Sequence, residues 1–119
     1  MTGRIVLIED DPDIAALVEE MLTEAGHQVE ARSRLPEAVD PGAQLVITDL
    51  LAMRSYDLET ARDWISLVRA AFPEAALIVS TAHAPAAAAG PAALGADAVL
   101  SKPFDITVFT STVESLLGG

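Results

Sequence analysis

Short, nearly continuous apolar runs limit the folds open to this chain more than any other feature. Ile5–Ile8, Leu45–Thr48, Ala76–Val79 and Ala98–Leu100 each last only three or four residues and show no polar alternation. A strand of that kind has neither face in water, which is the condition of a strand in a parallel sheet covered by helices on both sides. A weaker strand is expected within His27–Ala31, around Val29.

Helical patterns fill the intervals. Asp11, Pro12 and Asp13 combine an N-cap, a proline at the first helical position and an acid in the first turn. Leu17, Val18, Met21 and Leu22 continue as an apolar stripe of helical period, and Gly26 stops it. Leu35–Val39 has room for barely one turn before Asp40-Pro41-Gly42. A third helix is marked by Ala61, Trp64, Ile65 and Val68 and closed by Phe72-Pro73. Ala84–Leu94 is helical in composition but shortened or kinked by Gly90-Pro91, and the last helix runs from the cap Asp105 to Leu117 with Val108, Val113, Leu116 and Leu117 apolar. Five strands alternating with five helices specify an α/β fold, a doubly wound parallel sheet with helices on both faces in three layers.

The chain has 119 residues, enough for one continuous core, and residues 1–119 are read as a single domain with no output domain. Its cysteine count of zero excludes disulfide scaffolds and thiolate metal sites and suits a reducing, cytoplasmic compartment. With 18 acidic against 7 basic residues the net charge is −11, which argues against direct nucleic-acid contact and against binding an anionic membrane. The opening MTGRIVLIEDD is too short and too acidic for a secretory signal, and Pro85 and Pro91 interrupt the alanine-rich stretch that would otherwise resemble a span.

In an open parallel sheet, ligands bind beyond the carboxyl ends of the strands, where the strand order reverses. Glu9, Asp10 and Asp11 follow the first strand, Asp49 the third, Ser80 and Thr81 the fourth, and Lys102 the fifth. Carboxylates gathered in one place raise one another's pKa unless a cation intervenes, and a hard oxygen donor set suits Mg2+. Asp49 is then a candidate carboxylate nucleophile for phosphoryl transfer, with Lys102, the only lysine, as the compact positive charge beside it. Asp11 and Asp13 read as helix-capping acids, His83 as a loop residue near the site, and Trp64 and Phe72 as packing residues without a cofactor role.

The segments RIVLIEDDPDI, LVITDL, LIVSTAH and GADAVLSKPFD, taken in order, resemble the receiver domain of bacterial two-component response regulators over essentially the whole chain. The resemblance implies a flavodoxin-like sheet of order 2-1-3-4-5. It also implies that Asp49 accepts a phosphoryl group from a sensor histidine kinase or phosphotransfer protein. By the same likeness Glu9, Asp10, Asp49 and the backbone carbonyl of Leu51 hold Mg2+, Thr81 and Lys102 contact the phosphoryl group, and the Lys102-Pro103 peptide is cis. A kinase-docking patch of Ile14, Ala15, Val18, Pro103 and Phe104, a downstream protein target and, as an option, a homodimer belong to the same implication.

Departures from the family pattern concern the readout. Val99 stands where receivers usually carry Tyr or Phe, Met53 replaces a usual proline, Gly90-Pro91 interrupts the fourth helix, and Asp49 follows Asp10 by 39 positions, a short interval. They motivate an alternative, a pseudo-receiver that binds partners without phosphorylation. A phosphohydrolase shares the nucleophile but has no substrate cap and no evident general acid.

Overall fold

The computed structural model describes residues 3–50, 57–103 and 105–118. Strands β1 (Arg4–Ile8), β2 (Gln28–Arg32), β3 (Leu45–Thr48), β4 (Ala76–Thr81) and β5 (Ala98–Ser101) form one sheet of order β2-β1-β3-β4-β5. Every pairing is parallel. Helices α1 (Pro12–Glu24) and α5 (Ile106–Leu116) cover one face, and α2 (Leu58–Ala71), α3 (Ala84–Ala89) and α4 (Pro91–Leu94) the other. The fold is therefore the expected flavodoxin-like α/β arrangement. Among the described residues no helix is long and apolar enough to cross a membrane.

Two cores explain the unalternating strands. Ile5, Leu7, Leu45, Ile47 and Ile78 meet Val18 and Leu22 of α1 and Phe109 and Val113 of α5. Val6, Ile8, Val46, Leu77 and Val79 point the other way and meet Ala61, Ile65 and Val68 of α2 and Phe72 at its C-cap, with Ala86 and Leu94 beyond. Each large aliphatic side chain buried this way contributes about 1.5–3 kcal/mol of transfer free energy.

Helix α1 begins as its sequence dictates: Asp11 Oδ1 accepts from the backbone N–H of Asp13 at 2.9 Å and of Ile14 at 3.3 Å, with Pro12 in the first turn. Asp105 caps α5 in the same way through Val108 N–H at 3.0 Å. Two residues assigned to apolar stripes face water instead, Leu17 on α1 and Val108 on α5. A stripe read from period alone is wider than the seam that two helices bury on one sheet face.

The expected turn of helix at Leu35–Val39 is absent; β2 and β3 are joined by an irregular segment, 33–44. Pro36 disfavours helical geometry at Leu35, and Pro41-Gly42 ends what remains. A carboxylate replaces the helix as organiser. Asp40 accepts from both terminal nitrogens of Arg4, at 2.8 and 2.7 Å, and from Gly42 N–H at 3.1 Å, while its own N–H donates to Ala71 O at 2.7 Å. The Arg4 guanidinium holds the Asp40 carboxyl below its ordinary pKa, and the hydrogen bond from Arg4 raises the arginine's in return. At the same end of β1 the His27 side chain is wholly buried: Nδ1 accepts from Gly3 N–H at 3.2 Å, so Nε2 carries the proton toward Glu114 Oε1 at 2.9 Å. One imidazole thus ties β1, the α1–β2 turn and α5 together.

The alanine-rich helix is divided. Gly90 lies between α3 and α4 with φ 84° and ψ 167°, a region in which only glycine is unstrained. A Cβ there would meet no atom within 4 Å, so the cost of substitution is conformational and not steric. Gly90→Ala should lower the unfolding free energy by about 1–3 kcal/mol in urea titrations; an unchanged midpoint would show that the two helices fuse without penalty.

Candidate functional site

The order reversal falls between β1, which pairs with β2 on one side, and β3 on the other. The chain leaves both strands at the same rim, so Glu9 and Asp10 after β1 meet Asp49 after β3. Backbone pairing continues past the strand ends: Asp49 N–H donates to Ile8 O and Glu9 N–H to Arg32 O, both at 3.0 Å. One carboxylate oxygen from each of Glu9, Asp10 and Asp49 lies within 4.8 Å of the others. Lys102, carried in from the far end of β5, places Nζ 2.6 Å from Glu9 Oε1 and 3.7 Å from Asp49 Oδ2.

These groups are not spread over an open surface. The side chains of Glu9, Lys102 and Asp49 are only 3%, 14% and 16% exposed, whereas Asp10 faces solvent. Burial first, and the hydrogen bond and negative charge of Glu9 with it, pushes the Asp49 carboxyl up from an ordinary 3.8 to about 8, against the opposing pull of Lys102. One ammonium does not balance three acids. The donor set, hard oxygens converging with one side open to water, fits a small divalent cation such as Mg2+ and offers nothing to a thiophilic metal.

Thr81 ends β4 on the neighbouring strand, buried, with its Oγ1 accepting from His83 N–H at 2.9 Å and its carbonyl accepting from Lys102 N–H at 2.8 Å. The hydroxyl proton remains to be donated elsewhere. The Lys102-Pro103 peptide is cis, as expected. Asp11 serves the helix as its cap and also donates its N–H to Glu9 Oε2 at 3.3 Å. Leu51, Met53 and Phe104 lie outside the described residues. Of the docking patch, Val18 is only 1% exposed and belongs to the core, a correction to its expected role in surface contact, because its position on α1 points at the sheet. Ile14 and Ala15 are half-buried and Pro103 is exposed.

Two contributions were not assigned from sequence. Extending the Thr48–Val79 register by one residue sets Ser80 beside Asp49, on the sheet face of Ile47 and Ile78. Its hydroxyl is buried and has no hydrogen-bond partner among the described residues, a donor held ready at the rim. The other is Trp64, expected only to pack, whose indole N–H reaches Thr48 Oγ1 at 3.0 Å and the carbonyl of Asp49 at 3.1 Å. Helical spacing places the ring on the core but carries no information on where its N–H is aimed.

An open parallel α/β sheet with acids and an amine meeting at its switch point defines the class. No protein-family model matches the chain, and no curated protein matches its sequence. Solved structures do match. A response regulator receiver protein from Burkholderia phymatum superposes with a TM-score of 0.68 at 24% identity, covering 98% of this chain and 95% of that one. A response regulator from Thermotoga maritima gives 0.73 at 17% identity over 100% of both chains. The response regulator TrrA from the same organism, in complex with Mg2+ and BeF, gives 0.71 at 25% identity, covering 96% of this chain and 98% of that one. The fold of this chain is that of response regulator receiver domains.

The pH response of the cation-free protein follows from Asp49. Because its folded-state pKa lies above the ordinary 3.8, its favourable contribution is complete below that value and is lost as pH rises toward about 8. Asp49→Asn, which removes the charge, should therefore flatten the decline. At pH 8 in the presence of a chelator it should raise the unfolding free energy by more than about 1 kcal/mol, the equivalent of under one pKa unit. Parallel pH profiles for the two proteins would contradict the burial argument.

Proposed function

We propose that residues 1–119 form a single receiver domain of a two-component pathway, in which Asp49 takes a phosphoryl group from a sensor histidine kinase or phosphotransfer protein and the modified domain changes its binding to a downstream protein. The observation that carries this reading is the convergence of Glu9, Asp10, Asp49 and Lys102 from three separate strand ends. Chance surface acids do not arrive with an ammonium buried among them.

Glu9, Asp10 and Asp49, with the backbone carbonyl of Leu51, are the residues assigned to Mg2+. The ion, when bound, supplies the positive charge that keeps these carboxylates ionised and neutralises phosphoryl oxygens. The protein's own groups divide the rest of the work. A carboxyl pushed up to about 8 holds its proton at neutral pH and is a poor nucleophile, so Asp49 must be ionised before it reacts. Its oxygen then forms a bond to phosphorus while the phosphorus–nitrogen bond of a phosphohistidine breaks, and the imidazole leaves with a proton from water. Lys102 needs only a small swing from Glu9 to pair with the transferred group, and Thr81 has a hydroxyl proton to donate to it.

The domain is a signalling acceptor and not a turnover enzyme, and its acidic, cysteine-free chain is assigned to the cytoplasm. Dimerisation of the modified form belongs to the same reading. Val99, set against the core in place of a large aromatic, favours the alternative of a pseudo-receiver whose partner binding ignores phosphorylation.

Intact mass decides between them. Incubation with acetyl phosphate and Mg2+ should add one phosphoryl group to the parent and none to Asp49→Asn, and chelation should abolish the addition. A parent that stays unmodified while binding a partner with an affinity indifferent to Asp49→Asn would establish the alternative. Docking is assigned to Ile14 and Ala15 with Pro103. Ile14→Asp should slow transfer from a phosphorylated kinase by about 10-fold, one interface side chain being worth about 1–2 kcal/mol, with acetyl phosphate uptake unchanged. Equal slowing with both donors would remove the patch from the account.

A further inference from the structure

We propose that Trp64 is a positioning residue for Asp49, fixing through its indole N–H the peptide that carries the phosphoacceptor; this rests on the receiver reading above. Strand β3 ends at Thr48, and the carbonyl of Asp49 lies beyond the last rung of the ladder. Two side chains take it up. The Thr48 hydroxyl donates to it at 2.8 Å and the Trp64 indole at 3.1 Å, while the same indole N–H stands 3.0 Å from Thr48 Oγ1. The three groups form a closed set in which Thr48 is fully buried and Trp64 half-buried against the α2-side core.

Packing alone does not require this. A phenylalanine or leucine would fill the same space on α2, but only tryptophan brings a donor on a ring of that size, and the indole N–H can do nothing except donate. The carbonyl it holds belongs to the reactive residue itself. Pinning that carbonyl fixes ψ of Asp49, and the backbone setting in turn limits the rotamers through which its carboxylate can point to the rim. Leu51, assigned above as a carbonyl ligand, is two peptides farther on. One constraint therefore governs both the acid and the peptide that carries it. Because Trp64 lies in the middle of α2 (Leu58–Ala71), any shift of the Asp49 peptide when the site is filled is delivered to a helix of 14 residues and not to a loop.

Trp64 is the only tryptophan, which makes the test direct. The parent and Trp64→Phe, which keeps the ring and deletes the donor, are compared for urea unfolding, for Mg2+ affinity by calorimetry and for phosphoryl uptake from acetyl phosphate by intact mass. Trp64→Phe should remain folded, bind Mg2+ several-fold more weakly and take up the phosphoryl group about 10-fold more slowly, the scale of a slightly misplaced reacting group. A folded variant with the parent's affinity and rate overturns the proposal. Should the variant not fold, the 15N–1H indole resonance of the parent decides: it should move on addition of Mg2+, and again with beryllium fluoride, whereas a resonance indifferent to both overturns it. A parent that takes up no phosphoryl group at all sinks the receiver reading alone, and Mg2+ affinity and the indole resonance then judge Trp64 separately.

Discussion

Mutual repulsion among Glu9, Asp10 and Asp49 is the constraint around which the rim of this sheet is organised. Three acids cannot be brought within a few ångströms, two of them mostly out of water, without a penalty that the fold must meet from its hydrophobic core. The two cores supply it. Strands buried on both faces make the sheet rigid enough to hold like charges together, and the reversal of strand order gives them a common rim. Lys102 offsets part of the repulsion, and the Asp49 carboxyl answers the remainder by holding its proton to about 8. A site of this kind is poised because it is unsatisfied.

How much of this the sequence discloses depends on how local the cause is. Strands buried on both faces write themselves as apolar runs, and helix caps as Asp11 and Asp105, so the order of the strands and of the first and last helices is legible and the sheet order comes with the family likeness. The rim acids and Lys102 were legible because a topological rule sends residues after parallel strands to one edge. Contacts between residues far apart in the chain were not. His27 and Glu114 are separated by 87 positions and give no sign of each other, and Arg4 with Asp40 looks like two isolated surface charges until the loop folds over them. Ser80 was visible as a residue after a strand, yet only the register shows it beside Asp49 with its hydroxyl unpaired. For Trp64 the apolar period located the ring correctly and concealed its donor.

The expected helix between β2 and β3 failed for a reason that generalises. One turn with a proline at its second position cannot offset its nucleation cost by itself, and here there is little apolar surface to help: within Leu35–Val39 only Leu35 packs against the core. A carboxylate bridging Arg4 and Gly42 organises the connection with fewer ordered residues. The shortening leaves the rim acids undisturbed, because β2 is an edge strand and the segment that follows it crosses β1 to enter β3 at the amino end of the strands, where Asp40 pairs with Arg4.

The side of the molecule beyond β4 is built differently from the rim. Helices α3 and α4 present almost nothing but alanine, are anchored mainly by Ala86 and Leu94, and are separated by a glycine in a conformation closed to other residues. Each buries a single side chain, whereas α2 seats Ala61, Ile65, Val68 and the Trp64 indole along three turns. Two parts of this face therefore adjoin the rim: a pair of short helices beside Thr81 and His83, and a long helix joined by one hydrogen bond to the Asp49 peptide. Val99 provides no large ring between β5 and the short helices, whereas the Trp64 indole joins α2 to the Asp49 peptide directly.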